Sequence, residues 1–189
     1  MMHKMLRHFA IVLISYIFSL YINKLFILAS RCVDREQRDK LVAEVGWYDR
    51  YLEIGRVDRD ANPSPGNKEG GLSNIVEKAM GSIAKSGTAS ISEVIGPGEK
   101  PTKHGLICAC TPASDIVCGP SQVASGIGLQ VFMTGRGTPY GLEIAPVVTS
   151  SPTCRGRGFL FDSSNELSSE LLPHNRLSPS APRFFFYLI

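Results

Sequence analysis

At 189 residues, with a formal net charge of +3 and 43% hydrophobic against 20% charged residues, the chain has the composition of a globular protein long enough for one domain. The charge is too small to point to nucleic acid. Five cysteines, an odd number, do not read as a disulfide framework and fit reduced thiols instead.

Residues 1–30 open on a basic start (His3, Lys4, Arg7, His8) followed by FAIVLISYIFSLYINKLFILA. Residues 9–23 carry no charge, and admitting Lys24 the apolar run reaches Ala29, near the minimum for a membrane span. Three readings stand: a transmembrane anchor over residues 9–29, a signal peptide with a weak Ala29-Ser30 cleavage site, or a leader foreign to the domain behind it.

Residues 31–149 read as the globular part. Residues 36–54 suit one helix whose aromatic face (Trp47, Tyr48, Tyr51) is expected to be core. In residues 62–85, Pro63, Pro65, Gly66, Gly70 and Gly71 make a rigid loop. Leu72, Ile75, Val76, Ala79, Met80 and Ile83 then recur at helical spacing. Such a loop feeding a helix N-terminus offers unpaired N–H groups and a positive dipole end, a place for a carboxylate or phosphate. The ordinary alternative is a loop before a core helix.

Residues 91–95 form a strand stopped by Gly96-Pro97-Gly98, and residues 105–110 (GLICAC) a buried strand. A short helix over 120–124 is opened by Pro120. Residues 129–134 (LQVFMT) and 144–148 complete the strands. This order predicts an α/β fold, an incomplete open sheet with at least one parallel crossover. Residues 150–189 are turn- and disorder-type sequence ending in FFFYLI, an exposed sticky tail unless something covers it.

Ligands of open α/β sheets sit outside the carboxyl ends of the strands. Two turns are expected there, Thr111-Pro-Ala-Ser-Asp115 and residues 135–141, GRGTPYG. Arg136 between two glycines suits the grip of an anion, with Thr134 and Thr138 adding hydroxyls; the alternative is a tight turn with a solvated arginine. Asp115 is a candidate metal ligand or proton acceptor, or simply the cap of the helix that follows. His104 is a candidate acid or base, or plain surface. Cys108, Cys110 and Cys118 match no common zinc spacing, and Cys108 and Cys110 share one side of their strand.

The strings NPSPGNKEGGLSNIVEKAMGSIAKSG, PGEKPTKHGLI, TPASDIVCG and TGRGTPYGL, in this order, resemble the galactarate dehydratase/altronate dehydratase family over roughly residues 42–148. The resemblance implies a piece of a larger catalytic domain, with residues 1–30 and 150–189 outside it. It implies a hydro-lyase that removes water from a sugar diacid, galactarate, to give a 2-keto-3-deoxy product. It also implies a cytoplasmic location, unless the leader is a real anchor, and a divalent metal, Fe2+ being the usual ion.

Such a reaction needs a base for the proton α to a carboxylate, a grip on that carboxylate, and an acid or metal for the departing hydroxide. Under the resemblance, Thr134, Arg136 and Thr138 hold one carboxylate. The loop with Asn62 and Gly66 faces the other end of the substrate. Asn67 and Asp115 are oxygen ligands for the metal, and His104 is a weaker choice for proton transfer. Altronate or sulfolactate as substrate, or a non-catalytic membrane-tethered remnant, are the alternatives.

Overall fold

A computed structural model describes residues 8–13, 22–57, 62–112, 114–133, 139–150, 160–161 and 183–188. In chain order the elements are β1 (His8–Leu13), α1 (Ile22–Ala29), α2 (Arg35–Ile54), α3 (Pro65–Glu69), α4 (Ile75–Lys85) and β2 (Ile91–Ile95). They continue with β3 (Gly105–Ala109), α5 (Asp115–Ala124), β4 (Ile127–Met133), β5 (Val147–Ser150), β6 (Leu160–Phe161) and β7 (Arg183–Leu188). The described strands form one open sheet in the order β2-β3-β1-β7-β4-β5-β6, parallel throughout except for the antiparallel β5–β6 pair. This is the expected α/β class, and β3–α5–β4 is a parallel crossover.

The sheet is covered on both faces, which is why β3 reads as an unbroken apolar run. Side chains alternate along a strand, and the two cores divide accordingly. Leu106, Cys108 and Cys110 pack with Leu28, Leu41, Val45, Ile83 and Ile91, under α1, α2 and α4. Ile107 and Ala109 pack with Ile95, Cys118, Phe132 and Tyr140, under α5. The two thiols of Cys108 and Cys110 therefore do share a face. A register shift between Ile91 and Glu93 rephases β2 and lets Ile91 and Val94 both enter the first core.

The α2 helix starts at Asp34, whose carboxylate accepts from the Gln37 backbone N–H at 2.8 Å. Gln37, Leu41, Val45, Tyr48 and Leu52 then bury one stripe. Gln37 serves the edge of the sheet, because its Oε1 accepts from the Val94 N–H at 2.7 Å. Arg31 and Val33 exchange backbone bonds with Ile91, so the edge strand β2 is not left open. Of the aromatic face expected to be core only Tyr48 is buried. Trp47 and Tyr51 are partly exposed and stack at 5.5 Å between centroids.

Glu93 closes the short connection between β2 and β3. Its buried carboxylate accepts from the N–H of Thr102 and of Lys103 and from the Thr102 hydroxyl, at 2.8 to 3.1 Å. At the turn itself Glu99 accepts from the Gly96 N–H at 2.8 Å and pairs with Lys40 of α2 at 2.8 Å.

Three expectations need correction. Residues 9–29 do not form one apolar span: β1 lies inside the sheet, paired with β3 and β7, and α1 is a separate helix of eight residues. Among the described residues no helix is long and apolar enough to cross a membrane. An uncharged run rich in β-branched residues serves a doubly covered strand as well as it serves a lipid span.

The chain ending is likewise not left over, since β7 lies between β1 and β4. The helix expected to open at Pro120 begins five residues earlier, at Asp115. Ser114 is its N-cap, its carbonyl accepting from the N–H of Val117 and Cys118 at 2.9 and 2.8 Å. Pro120 sits inside the helix, where it costs one backbone bond.

Candidate active site

Because β3 and β4 run the same way, their carboxyl ends lie at the same edge of the sheet. Two strands, β1 and β7, stand between them, a separation of roughly 14 Å at the usual strand spacing. The α5 helix spans that gap. Thr111, after β3, donates through its hydroxyl to Cys118 Sγ at 2.8 Å. Tyr140, in the second turn, packs against Phe132 with centroids 5.2 Å apart and against the backbone of Gly119.

Asp115 occupies the first position of α5, where a carboxylate suits the positive end of the helix dipole. It is not the cap, a role taken by Ser114. In the second turn, burial pushes the Tyr140 phenol up to about 12 and Cys118 adds to the rise, a hydrogen bond from Gln130 pulls it down, and Asp115 adds the smallest rise. Thr134, Arg136 and Thr138 lie outside the described residues.

The loop ahead of α4 differs from expectation in detail. Residues Pro65–Glu69 make a short helix that includes Gly66. The side-chain amide of Asn67 donates to Ser64 Oγ at 2.6 Å, and Asn62 Oδ1 accepts from Lys78 Nζ at 3.0 Å. The N-terminus of α4 already has its own partners. Asn74 Oδ1 accepts from the Glu77 N–H at 3.0 Å, and the Glu77 carboxylate accepts from the Ser73 N–H and hydroxyl at 2.9 and 2.7 Å. These bonds hold the Glu77 carboxyl below its ordinary range. A carboxylate of the chain itself occupies the place suggested for a ligand anion, as a capping box does.

His104 is exposed and stands at the amino end of β3. Five strand residues, roughly 17 Å at about 3.3 Å per residue, separate that end from the edge where Asp115 lies. The structure therefore does not bring these two together. Among the described residues no three of His, Cys, Asp and Glu stand close enough to hold a metal ion. Asp115 and Asn67 each offer one oxygen donor, and the described residues do not complete a donor set around either.

A titratable group with no signal in the sequence also lies at this edge. Glu44 of α2 is partly buried against the turn after β2, where a Cβ on Gly96 would come within 3.0 Å of its Oε1. Burial pushes its carboxyl above the ordinary 4.5, Lys40 pulls it down, and Glu99 pushes it up. A carboxyl raised in the folded state contributes stability in full below its ordinary value and loses it as pH rises through the raised one. Glu99 behaves oppositely: hydrogen bonds from Lys40 and Gly96 hold its carboxyl down, and its contribution is lost on acidification. Glu44→Gln is therefore expected to unfold at higher urea than the parent at neutral pH. The gap should close toward pH 4.5. A constant gap across that range counts against the assignment.

The sequence profile of the family described as D-galactarate/Altronate dehydratase, C-terminal, matches residues 6–155, which include most of the first thirty. Galactarate dehydratase (L-threo-forming) of Escherichia coli (strain K12) is 61% identical over 126 residues, covering 67% of this chain and 24% of that protein. Altronate dehydratase of Bacillus subtilis (strain 168) is 32% identical over 127 residues, 67% of this chain and 26% of that protein. The (2R)-sulfolactate sulfo-lyase subunit beta of Chromohalobacter salexigens is 34% identical over 132 residues, 65% of this chain and 32% of that protein. The chain spans between a quarter and a third of the length of these relatives. With four fifths of its residues inside the profile, the chain belongs to the D-galactarate/altronate dehydratase family, by the C-terminal domain of those enzymes.

Proposed function

We propose that this chain carries part of the substrate site of a hydro-lyase acting on a sugar diacid, with galactarate as substrate. The observation that carries the reading is the 61% identity to a protein named galactarate dehydratase, against 32% to an altronate dehydratase. The geometry supports it through the two strands, β3 and β4, that end at one sheet edge and are tied by α5.

In this reading Arg136, with Thr134 and Thr138, grips one carboxylate of the diacid. A bidentate guanidinium fork matches a carboxylate in a way a lysine ammonium does not. Asp115, at the other turn, is the carboxylate for taking or relaying a proton, or for one oxygen contact to a divalent ion such as Fe2+. Residues Asn62 and Gly66 bound the far wall. The cytoplasm is the matching location.

Titration calorimetry of the 189-residue chain tests the proposal, with galactarate, altronate and sulfolactate, each with and without ferrous iron. Galactarate binding more tightly than the two monocarboxylates is the expected result. No galactarate binding under either condition overturns the reading. Release of a 2-keto-3-deoxy acid from galactarate separates a catalytic piece from a binding remnant. Arg136→Lys is expected to weaken galactarate at least about tenfold, roughly 1.4 kcal/mol. An unchanged affinity removes the clamp role.

A further inference from the structure

The strand order singles out one point on the carboxyl edge of the sheet. β1 and β3 are parallel neighbours, with Ile11 beside Cys108. The next element after β1 is α1, on one face, where Leu28 and Ala29 pack with Leu106, Cys108 and Cys110. The next element after β3 is α5, on the opposite face, where Cys118 packs with Ile107 and Ala109. Open α/β sheets bind ligands where neighbouring strands lead to opposite faces in this way. Asp115, at the start of α5, flanks that point from one face.

Glu44 flanks it from the other, because α2 packs on the same face as α1. Its carboxylate stands beside the last rung of β2 and β3, where the Cys110 N–H donates to the Ile95 carbonyl at 2.8 Å. It rests on Gly96, where a Cβ would come within 3.0 Å of Oε1. The Cys110 thiol is pushed well above its ordinary range by a hydrogen bond with Cys108 and by burial, and the charges of Cys108 and Glu44 add to the rise. Thr111 and the turn to Asp115 follow at once. The charged and titratable groups facing Glu44 are Lys40 on its own helix, Glu99 on the β2–β3 connection and Cys110 on β3. Lys40 is paired with Glu99 at 2.8 Å, so among the described residues Glu44 has no ion pair of its own.

A carboxyl beside an arriving dianion takes up a proton in preference to facing it as a like charge. Burial already pushes Glu44 in that direction, ahead of the pull from Lys40 and the push from Glu99. We propose that Glu44 is the acid of the diacid site, taking up a proton as the diacid binds and giving it to the hydroxyl that leaves. The α C–H bond breaks, its proton passing to Asp115 and its electron pair forming the C=C bond. The C–O bond on the adjacent carbon breaks with its pair on oxygen, which takes the Glu44 proton and departs as water. The enol left behind becomes the 2-keto-3-deoxy acid, and Glu44 ends as a carboxylate.

This inference rests on the diacid site proposed above, and its test keeps the two apart. Titration calorimetry of the 189-residue chain with galactarate, in two buffers of different ionisation enthalpy, counts the protons exchanged on binding. The parent is expected to take up part of a proton at about pH 7, with affinity rising at least about threefold from pH 8 to pH 6. Glu44→Gln, whose amide stands in for the protonated carboxyl, is expected to lose that uptake and to hold one affinity across the same range. At pH 8 it should match or exceed the parent. A glutamate with only a structural part would leave both the proton count and the pH profile where they are.

Unchanged proton uptake in Glu44→Gln overturns the role of Glu44 and leaves the diacid site standing. So does galactarate binding by the parent without proton uptake. Loss of binding in the variant alone has the same meaning, since a neutral carboxyl and an amide both donate a hydrogen bond. Binding by neither protein overturns the site itself, and the role of Glu44 with it.

Discussion

Glu93→Ala is expected to lower the free energy of unfolding by about 2–3 kcal/mol, read as a fall in the urea midpoint at unchanged slope. The residue lies in an edge strand, where an acidic side chain is ordinarily solvated and dispensable. Here its carboxylate is buried and takes two backbone N–H groups and one hydroxyl from the connection to β3. Parallel neighbours are usually joined by a dozen residues or more, often with a helix, and residues 96–104 manage it without one. The carboxylate supplies the backbone partners that the missing helix would have supplied. Thr102 and Lys103 are exposed, so water recovers part of the loss, which sets the upper bound. Glu93→Gln keeps two acceptor lone pairs on one oxygen and is expected to cost about half as much. An alanine variant within about 0.5 kcal/mol of the parent would mean the connection holds itself.

Gly119→Ala is expected to destabilise by a similar amount, about 2–3 kcal/mol, where the helix alone predicts the reverse. An exposed helical glycine replaced by alanine ordinarily gains up to about 1 kcal/mol. At this position the added methyl would overlap the Tyr140 hydroxyl and come within 2.8 Å of Leu142 Cδ2. Tyr140 cannot retreat easily, because Phe132 packs against its ring. Removing the hydroxyl should therefore return part of the loss. In a double-mutant cycle with Tyr140→Phe, the Gly119→Ala penalty is expected to shrink by at least about 1 kcal/mol. Additivity of the two substitutions would show that Leu142, not the phenol, sets the limit.

Elements with a plain apolar period were legible in the sequence. GLICAC and LQVFMT are β3 and β4 to within two residues at either end, and the stripe from Leu41 to Leu52 gave α2. The first strand was not, because HFAIVL is uncharged on both faces for a reason that two different solvents share. Pro120 reads in the sequence as a helix opener, yet α5 starts at Asp115. Ser114 and Asp115 are the better start signal, and burial of Cys118 requires the helix to exist before Pro120 is reached.

At the site, the shared edge at which β3 and β4 end followed from strand direction alone, and the two strands standing between them did not. Nor did the buried hydrogen bond from Gln130 to Gln122. Gln130 stood in the middle of an apolar run, which was a visible anomaly, but one strand gives no sign that its amide faces Gln122 on a helix. The same holds for Glu44, whose perturbation comes from a turn fifty residues away. His104 shows the opposite failure: closeness to a strand in sequence said nothing about which end of the sheet it would occupy.

The order of the strands has a kinetic consequence. β1 and β7 are mutual neighbours at the centre of the sheet, yet they come from the first and last described segments of the chain. Within the sheet the β2–β3 side and the β4–β5–β6 side are joined by that pair, while α5 packs against both. Each side can gather locally, but loop closure over almost the entire polypeptide has to precede their union. During synthesis the two sides therefore wait, with the gap between them open, until the segment carrying β7 has left the ribosome.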